Sequence, residues 1–261
     1  MTVGATHFQK KLFARRSVEI QRLIQGWVES NAIHAQDHFI SQQLASLLIG
    51  RSFGQHVSKG YISIQGGALT VVSGGDALSA ESDILVSDGT LNLTAGGGSG
   101  AQVADDASAK GIKATVNVVI DGGALTIDSA DDALHSNGTI VVNGGTVTLA
   151  SGDDGVHADS VIDINGGELM IATSYEGIES ASITLDAGTV RVTSSDDALN
   201  ASAGATGDIF GGGMGGGGMQ NDGSRLTING GLLVVNAYGD GLDSNGSIAM
   251  TGGTVLVSGP T

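Results

Sequence analysis

One ten-residue pattern, apolar-x-apolar-x-Gly-Gly-x-apolar-x-apolar, recurs along this chain and leaves few folds open to it. It appears as ISIQGGALTV, VVIDGGALTI, IVVNGGTVTL, IDINGGELMI, LTINGGLLVV and IAMTGGTVLV. Two looser copies, ILVSDGTLNL and ITLDAGTVRV, bring the set to eight. The last glycine of each falls at Gly67, Gly89, Gly123, Gly145, Gly167, Gly188, Gly231 and Gly253, so the spacings are 22, 34, 22, 22, 21, 43 and 22. The two long spacings are one unit plus an insertion. A fixed period of this length marks stacked supersecondary units.

Each unit holds short alternating strands around a Gly-Gly corner and no helical stretch. About 22 residues is too short for a four-stranded propeller blade. The unit suits one turn of a right-handed parallel β-helix, with successive turns at the ~4.8 Å inter-strand spacing. A β-sandwich is the alternative, but it predicts hairpin turns and variable spacing. The expected fold is therefore all-β, an eight-turn right-handed parallel β-helix over residues 59–261, with insertions at 96–109 and 202–224. Two interior ladders follow. One runs Ile62, Ile84, Val118, Ile140, Ile162, Ile183, Leu226, Ile248; the other runs Ile64, Val86, Ile120, Val142, Ile164, Leu185, Ile228, Met250. The corner glycines are expected at positive φ.

Residues 1–58 differ in kind. Leu12, Phe13, Ile20, Leu23, Ile24, Trp27 and Val28 recur at helical spacing, as do Ile40, Leu44, Leu47 and Leu48. Two amphipathic helices, near 6–29 and 35–50, are the expectation, serving as a cap or as a fused segment.

Charge is divided the same way. Residues 1–58 carry six Lys/Arg against three Asp/Glu, whereas residues 59–261 carry five against 24. Such acidity repels nucleic acid and attracts cations. No apolar run reaches the length of a membrane span. The first residues also lack the apolar core and cleavage site of a signal peptide. There is no cysteine, so no disulfide scaffold enters.

Aligning the units brings the acidic corners into register. One column holds Asp76, Lys110, Asp132, Asp154, Glu176, Asp197 and Asp240. The residues before these include Asp131, Asp153, Tyr175 and Asp196. Three positions after them come Ser79, Lys113, His135, His157, Glu179, Asn200 and Asp243. Like charges on adjacent turns, ~5 Å apart, repel by roughly 3 kcal/mol at an effective dielectric near 20. A shifted pKa, a cation or splaying into water must relieve that. Ca²⁺ fits best, since it takes six to eight carboxylate and carbonyl oxygens in flexible geometry and turn carbonyls would add neutral ligands. Any single Asp here is also an ordinary turn former. His135 and His157 suit hydrogen bonding to the carboxylates, with a transition metal as the alternative. Lys110 and Lys113 supply counter-charge or, with Arg191, the base of an elimination.

These residues carry a resemblance. The run SADDALHSNGTIVVNGGTVTLASGDDGVHADSVIDINGGELMIATSYEGIESASITL, with DDGVHAD and YEGIE as its most specific signatures, resembles the bacterial carbohydrate-binding domain-containing proteins. That family includes a cell-surface protein of a cellulosome-producing clostridium. The resemblance extends from about Lys59 to Thr261. It implies a polysaccharide-lyase-like β-helix that binds Ca²⁺ and an acidic polysaccharide such as polygalacturonate, and also cellulose, at the cell surface or outside the cell. It also implies Asp131, Asp132, Asp153, Asp154, Glu176, Glu179, Asp196 and Asp197 as calcium ligands, and the column adds Asp240 and Asp243. His135, His157, Tyr175 and Asn200 are the expected ligand-contacting residues.

Three functions compete on this reading. The first is calcium-dependent, non-catalytic binding of acidic polysaccharide, with few aromatics and no Trp in the repeats arguing against a sugar-stacking platform. The second is a pectate-lyase-like elimination using Lys113, Lys110 or Arg191. The third is a structural protein that self-associates end to end.

Overall fold

The computed structural model describes residues 39–49, 60–104, 107–203 and 221–259, all within one compact unit. The fold is all-β: every described element is a strand, and all of them join one large sheet. No helix occurs among the described residues, so none is long and apolar enough to cross a membrane.

Apart from Phe39–Ile49, the strands form three parallel stacks, because each pairs with the equivalent strand one repeat away rather than with its chain neighbour. The first stack includes Asn117–Ile120, Thr139–Val142, Arg225–Ile228 and Ser247–Met250. The second carries Ala124–Ser129, Thr146–Ser151, Glu168–Thr173, Thr189–Ser194, Leu232–Ala237 and Thr254–Ser258. The third holds Leu78–Ala80, Ile112–Ala114, Leu134–Ser136, Leu199–Ala201 and Asp243–Ser244. Val156–Ile164 and Ile178–Leu185 each run through the third stack into the first. This is a parallel, β-helix-like coil whose period in space is the period of the sequence.

Both interior ladders pair in the expected register, Ile62 to Ile84 to Val118 and onward to Ile248, and Ile64 to Val86 to Ile120 and onward to Met250. They are buried as far as Leu226 and Ile228, while Ile248 and Met250 in the last turn are exposed. Alternation of side chains across each strand delivers these residues to one interior. All eight corner glycines have positive φ, from 75° at Gly231 to 121° at Gly89. A Cβ on Gly145 would also lie 2.7 Å from the Gly123 carbonyl oxygen, because adjacent corners nest.

The helix expected over 35–50 is not formed. Phe39–Ile49 is a strand, antiparallel to Ile62–Ser73, with Ile49 opposite Ile62 and Phe39 opposite Val72. The first turn leaves a row of backbone N–H and C=O groups along its outer edge. A strand satisfies those groups and a helix does not, and this tertiary demand outweighs the helical spacing of Ile40, Leu44, Leu47 and Leu48. The helix expected over 6–29 lies outside the described residues.

The first insertion leaves the stack after Ala95 and returns at Ile112. It is tied down where the Ser99 N–H donates to Asp128 Oδ1 at 2.6 Å. The second falls between Leu199–Ala201 and Arg225–Ile228, and residues 204–220 of it lie outside the described residues.

Candidate functional site

The acidic corner lies between the second and third stacks, and a serine shapes it. In SADD, SGDD and SSDD the serine hydroxyl donates to the carbonyl two residues on: Ser129 to Asp131 (2.9 Å), Ser151 to Asp153 (3.1 Å) and Ser194 to Asp196 (3.0 Å). These serines are buried. Neighbouring carbonyls are spent on the next turn, since Asp132 O accepts from Gly111 N, Asp154 O from Ala133 N and Asp153 O from Tyr175 N. The turn carbonyls expected as neutral metal ligands are thus already engaged in holding the corner.

Side chains then line up rung by rung. Register places Lys113, His135, His157, Glu179, Asn200 and Asp243 in one column. Lys110 Nζ donates to Asp131 Oδ1 at 2.7 Å and to Asp132 Oδ2 at 2.6 Å. His135 Nδ1 meets the same Asp132 oxygen at 2.7 Å. Burial alone would raise the Asp132 carboxyl, but His135 and the Lys110 ammonium pull it down to about 2. Burial opposes the charge on Lys110, yet Asp132 and Asp131 outweigh it and raise its pKa. An amine held in that state is a poor base.

One turn on, His157 Nδ1 lies 2.9 Å from Asp154 Oδ2 and 3.0 Å from Glu179 Oε2, with Asp159 3.4 Å from its Nε2. Burial works against an imidazolium, but Asp154 and Glu179 overcome it and raise the His157 pKa well above its usual range. The His135 and His157 rings stack at 5.1 Å and 15°. Lys113 Nζ donates to Ser108 Oγ at 3.0 Å and lies 3.6 Å from Asp76. Asp76 also accepts from Ser108 Oγ and from Lys110 N. Asp76 thus joins the corner from its place in the aligned column, while Ser108 and Asp159 belong to it without having been singled out in the sequence. Ser108 and Asp159 sit off the aligned columns, so only the folded loop and strand bring them in.

Beyond His157 the counter-charges stop. Among the described residues no ion pair reaches Glu176, Asp196, Asp197, Asp240 or Asp243. Burial, and then the charges of Glu179, Asp197 and Asp196, push the Glu176 carboxyl up to about 7. Asp197 is raised by burial and by Asp196 and Asp240, although the Asp240 N–H at 2.6 Å partly relieves it. Asn200 Nδ2 donates to Glu176 Oε2 at 3.0 Å, while its Oδ1 is buried without a partner.

A cleft of about 360 Å³ opens over four successive turns of this corner, from Lys110 through Asp132, His135, Asp153, Asp154 and His157 to Tyr175, Glu176 and Glu179. Two groups at the corner have the spacing of metal ligands, Asp131 with Asp132 and Asp153, and Asp154 with His157 and Glu179. Arg191 is not part of it, for it stands in the second stack between Met170 and Val234.

Residues 52–155 and, overlapping them, residues 137–177 match a family described as carbohydrate-binding domain-containing protein. The chain is similar to carbohydrate-binding proteins. The two matches together span 52–177, just under half the chain, and the carbohydrate-binding match takes in the cleft from Lys110 to Glu176. No curated protein and no solved structure matches the chain.

Proposed function

We propose that the acidic corner binds polysaccharide without cleaving it, and that Ca²⁺ held at its uncompensated rungs bridges to the carboxylates of an acidic polymer. The first rungs, Asp131, Asp132 and Asp154, already have Lys110 and His157 as cations. Among the described residues no cation reaches Glu176, Asp196 or Asp197, and Glu179 shares its one partner, His157, with Asp154. The observation that carries the reading is the orphaned Asn200 Oδ1, a buried acceptor beside Glu176 in a column that continues to Glu179 and Asp243. A hard cation satisfies such an oxygen and discharges the repulsion that raises Glu176. Glu176, Glu179, Asn200 and Asp197 are the residues we assign to it. A calcium ion there supplies open coordination positions to a uronate carboxylate, which lets a negative protein hold a negative polymer.

The test is a thermal melt in EDTA, in Mg²⁺ and in Ca²⁺, paired with affinity electrophoresis in polygalacturonate. Calcium at about a hundred times its Kd should stabilise the fold by about 2.7 kcal/mol. Glu176→Gln and Asp197→Asn should shrink that shift, and chelator should release the polymer. A melt identical in all three buffers, with polymer retention unchanged by EDTA, would sink the calcium bridge.

A further inference from the structure

Apart from histidines, residues 60–104, 107–203 and 221–259 hold three aromatic side chains, Tyr61, Tyr175 and Tyr238. Two of these stand out from the surface, Tyr175 at 49% exposure and Tyr238 at 84%. A ring so exposed contributes little to the core, and exposed aromatic surface is the usual mark of a contact site.

Both residues stand at the acidic corner, and backbone hydrogen bonds fix the offset of their main chains. Asp196 N donates to Tyr175 O, and Gly239 N donates to Asp196 O. Tyr238, beside Gly239, therefore sits two turns beyond Tyr175, about 10 Å at roughly 4.8 Å per turn. Tyr175 also lines the four-turn cleft.

An extended 1→4-linked pyranose chain advances by close to one turn of this stack per sugar. In its two-fold form the same ring face recurs at every second sugar. The apolar C–H face of a pyranose packs on a tyrosine ring through dispersion and apolar burial, and neither needs a metal. We infer that Tyr175 and Tyr238 are paired stacking contacts for ring faces two sugars apart in a linear 1→4-linked glycan lying along the stack axis. The inference rests on the corner being the polysaccharide site. It assigns that site a chain direction, a spacing of one sugar per turn, and a contact independent of calcium. The scarcity of aromatics, which in the sequence argues against stacking, is outweighed by where two of the three are displayed.

The shared chemistry is the pyranose face, so two oligosaccharide series serve as probes in isothermal titration. One is neutral β-1,4-gluco-oligosaccharides of two to six sugars in EDTA, and the other is oligogalacturonates of the same lengths in Ca²⁺. In whichever series binds, affinity should climb between the disaccharide and the trisaccharide, the length at which both rings are first reached. Tyr175→Ala and Tyr238→Ala should each lose about tenfold on the tetrasaccharide. The corresponding Phe variants should retain binding, and melting temperatures should not move. Wild-type protein that binds tetrasaccharide no better than its Ala variants would overturn the stacking pair while leaving polysaccharide binding intact. Wild-type protein that binds neither series in either buffer would overturn both.

Discussion

Lys110 interrupts a column otherwise made of acids, and its neighbours explain what it does there. Its side chain is 14% exposed and its ammonium is shared by two carboxylates, one of them, Asp132, only 4% exposed. Removing one partner from such a cluster strands buried charge, at a cost of about 3 kcal/mol. Lys110→Met should lose that amount in urea denaturation at pH 7. The sign of the pH dependence follows from Asp132, whose folded pKa is depressed to about 2 from an ordinary 3.8. A depressed carboxylate stabilises the fold above its unfolded pKa, and that stability drains away as pH falls from about 4 towards 2. In wild-type protein the contribution is on the order of 2 kcal/mol. The penalty of Lys110→Met should therefore be large at pH 7 and much smaller at pH 3, where the carboxylates no longer need a cation. An equal penalty at both pH values would mean that Lys110 acts through packing alone.

At the scale of the element, the corner decides whether turns can nest. Gly145 has a φ of 86°, and a Cβ there would meet the Gly123 carbonyl oxygen at 2.7 Å and the Gly122 carbonyl carbon at 2.9 Å. Both the left-handed backbone and the overlap count against a side chain, so Gly145→Ala should cost about 2 kcal/mol or more. Gly100 in the first insertion has open space around it and no positive φ. Gly100→Ala should be neutral or slightly stabilising in the same thermal melts. These corners and both interior ladders were legible in the sequence because a solenoid writes its period into the chain once per turn. The strand Phe39–Ile49 was not, since nothing local to Ile40, Leu44, Leu47 and Leu48 reveals the open sheet edge that recruits it. The columns of the candidate site were legible for the same periodic reason. The double grip of Lys110 and the clamp of Asp154 and Glu179 on His157 were not, because side-chain reach across a turn is set by rotamers and packing rather than by spacing.

For the whole molecule, stability is close to a sum of turns and of interfaces between neighbouring turns. A complete turn can then be removed without breaking the logic of the rest, provided the register closes. Gly123 and Gly145 occupy equivalent corners, and Thr146 pairs with Ala124 in the strands that follow them. Deleting residues 123–144 joins Gly122 to Gly145 and takes out Ala124–Ser129, Leu134–Ser136 and Thr139–Val142 as one unit. Every remaining ladder stays in phase, and the strands on either side of the gap become neighbours. The shortened chain should still unfold in one cooperative transition, at a lower Tm, because one interface fewer holds it together. Its corner should also re-form by substitution, with Lys110 facing Asp153 and Asp154 where it now faces Asp131 and Asp132. Deleting only residues 134–144 shifts the downstream strands by half a turn, setting interior residues against corner glycines, and should give a chain without cooperative melting. Circular dichroism melts of the two deletions side by side separate the outcomes. Equal loss of folding in both would show that the turns are not interchangeable units, and the register of the acidic corner would then need a cause other than the repeat.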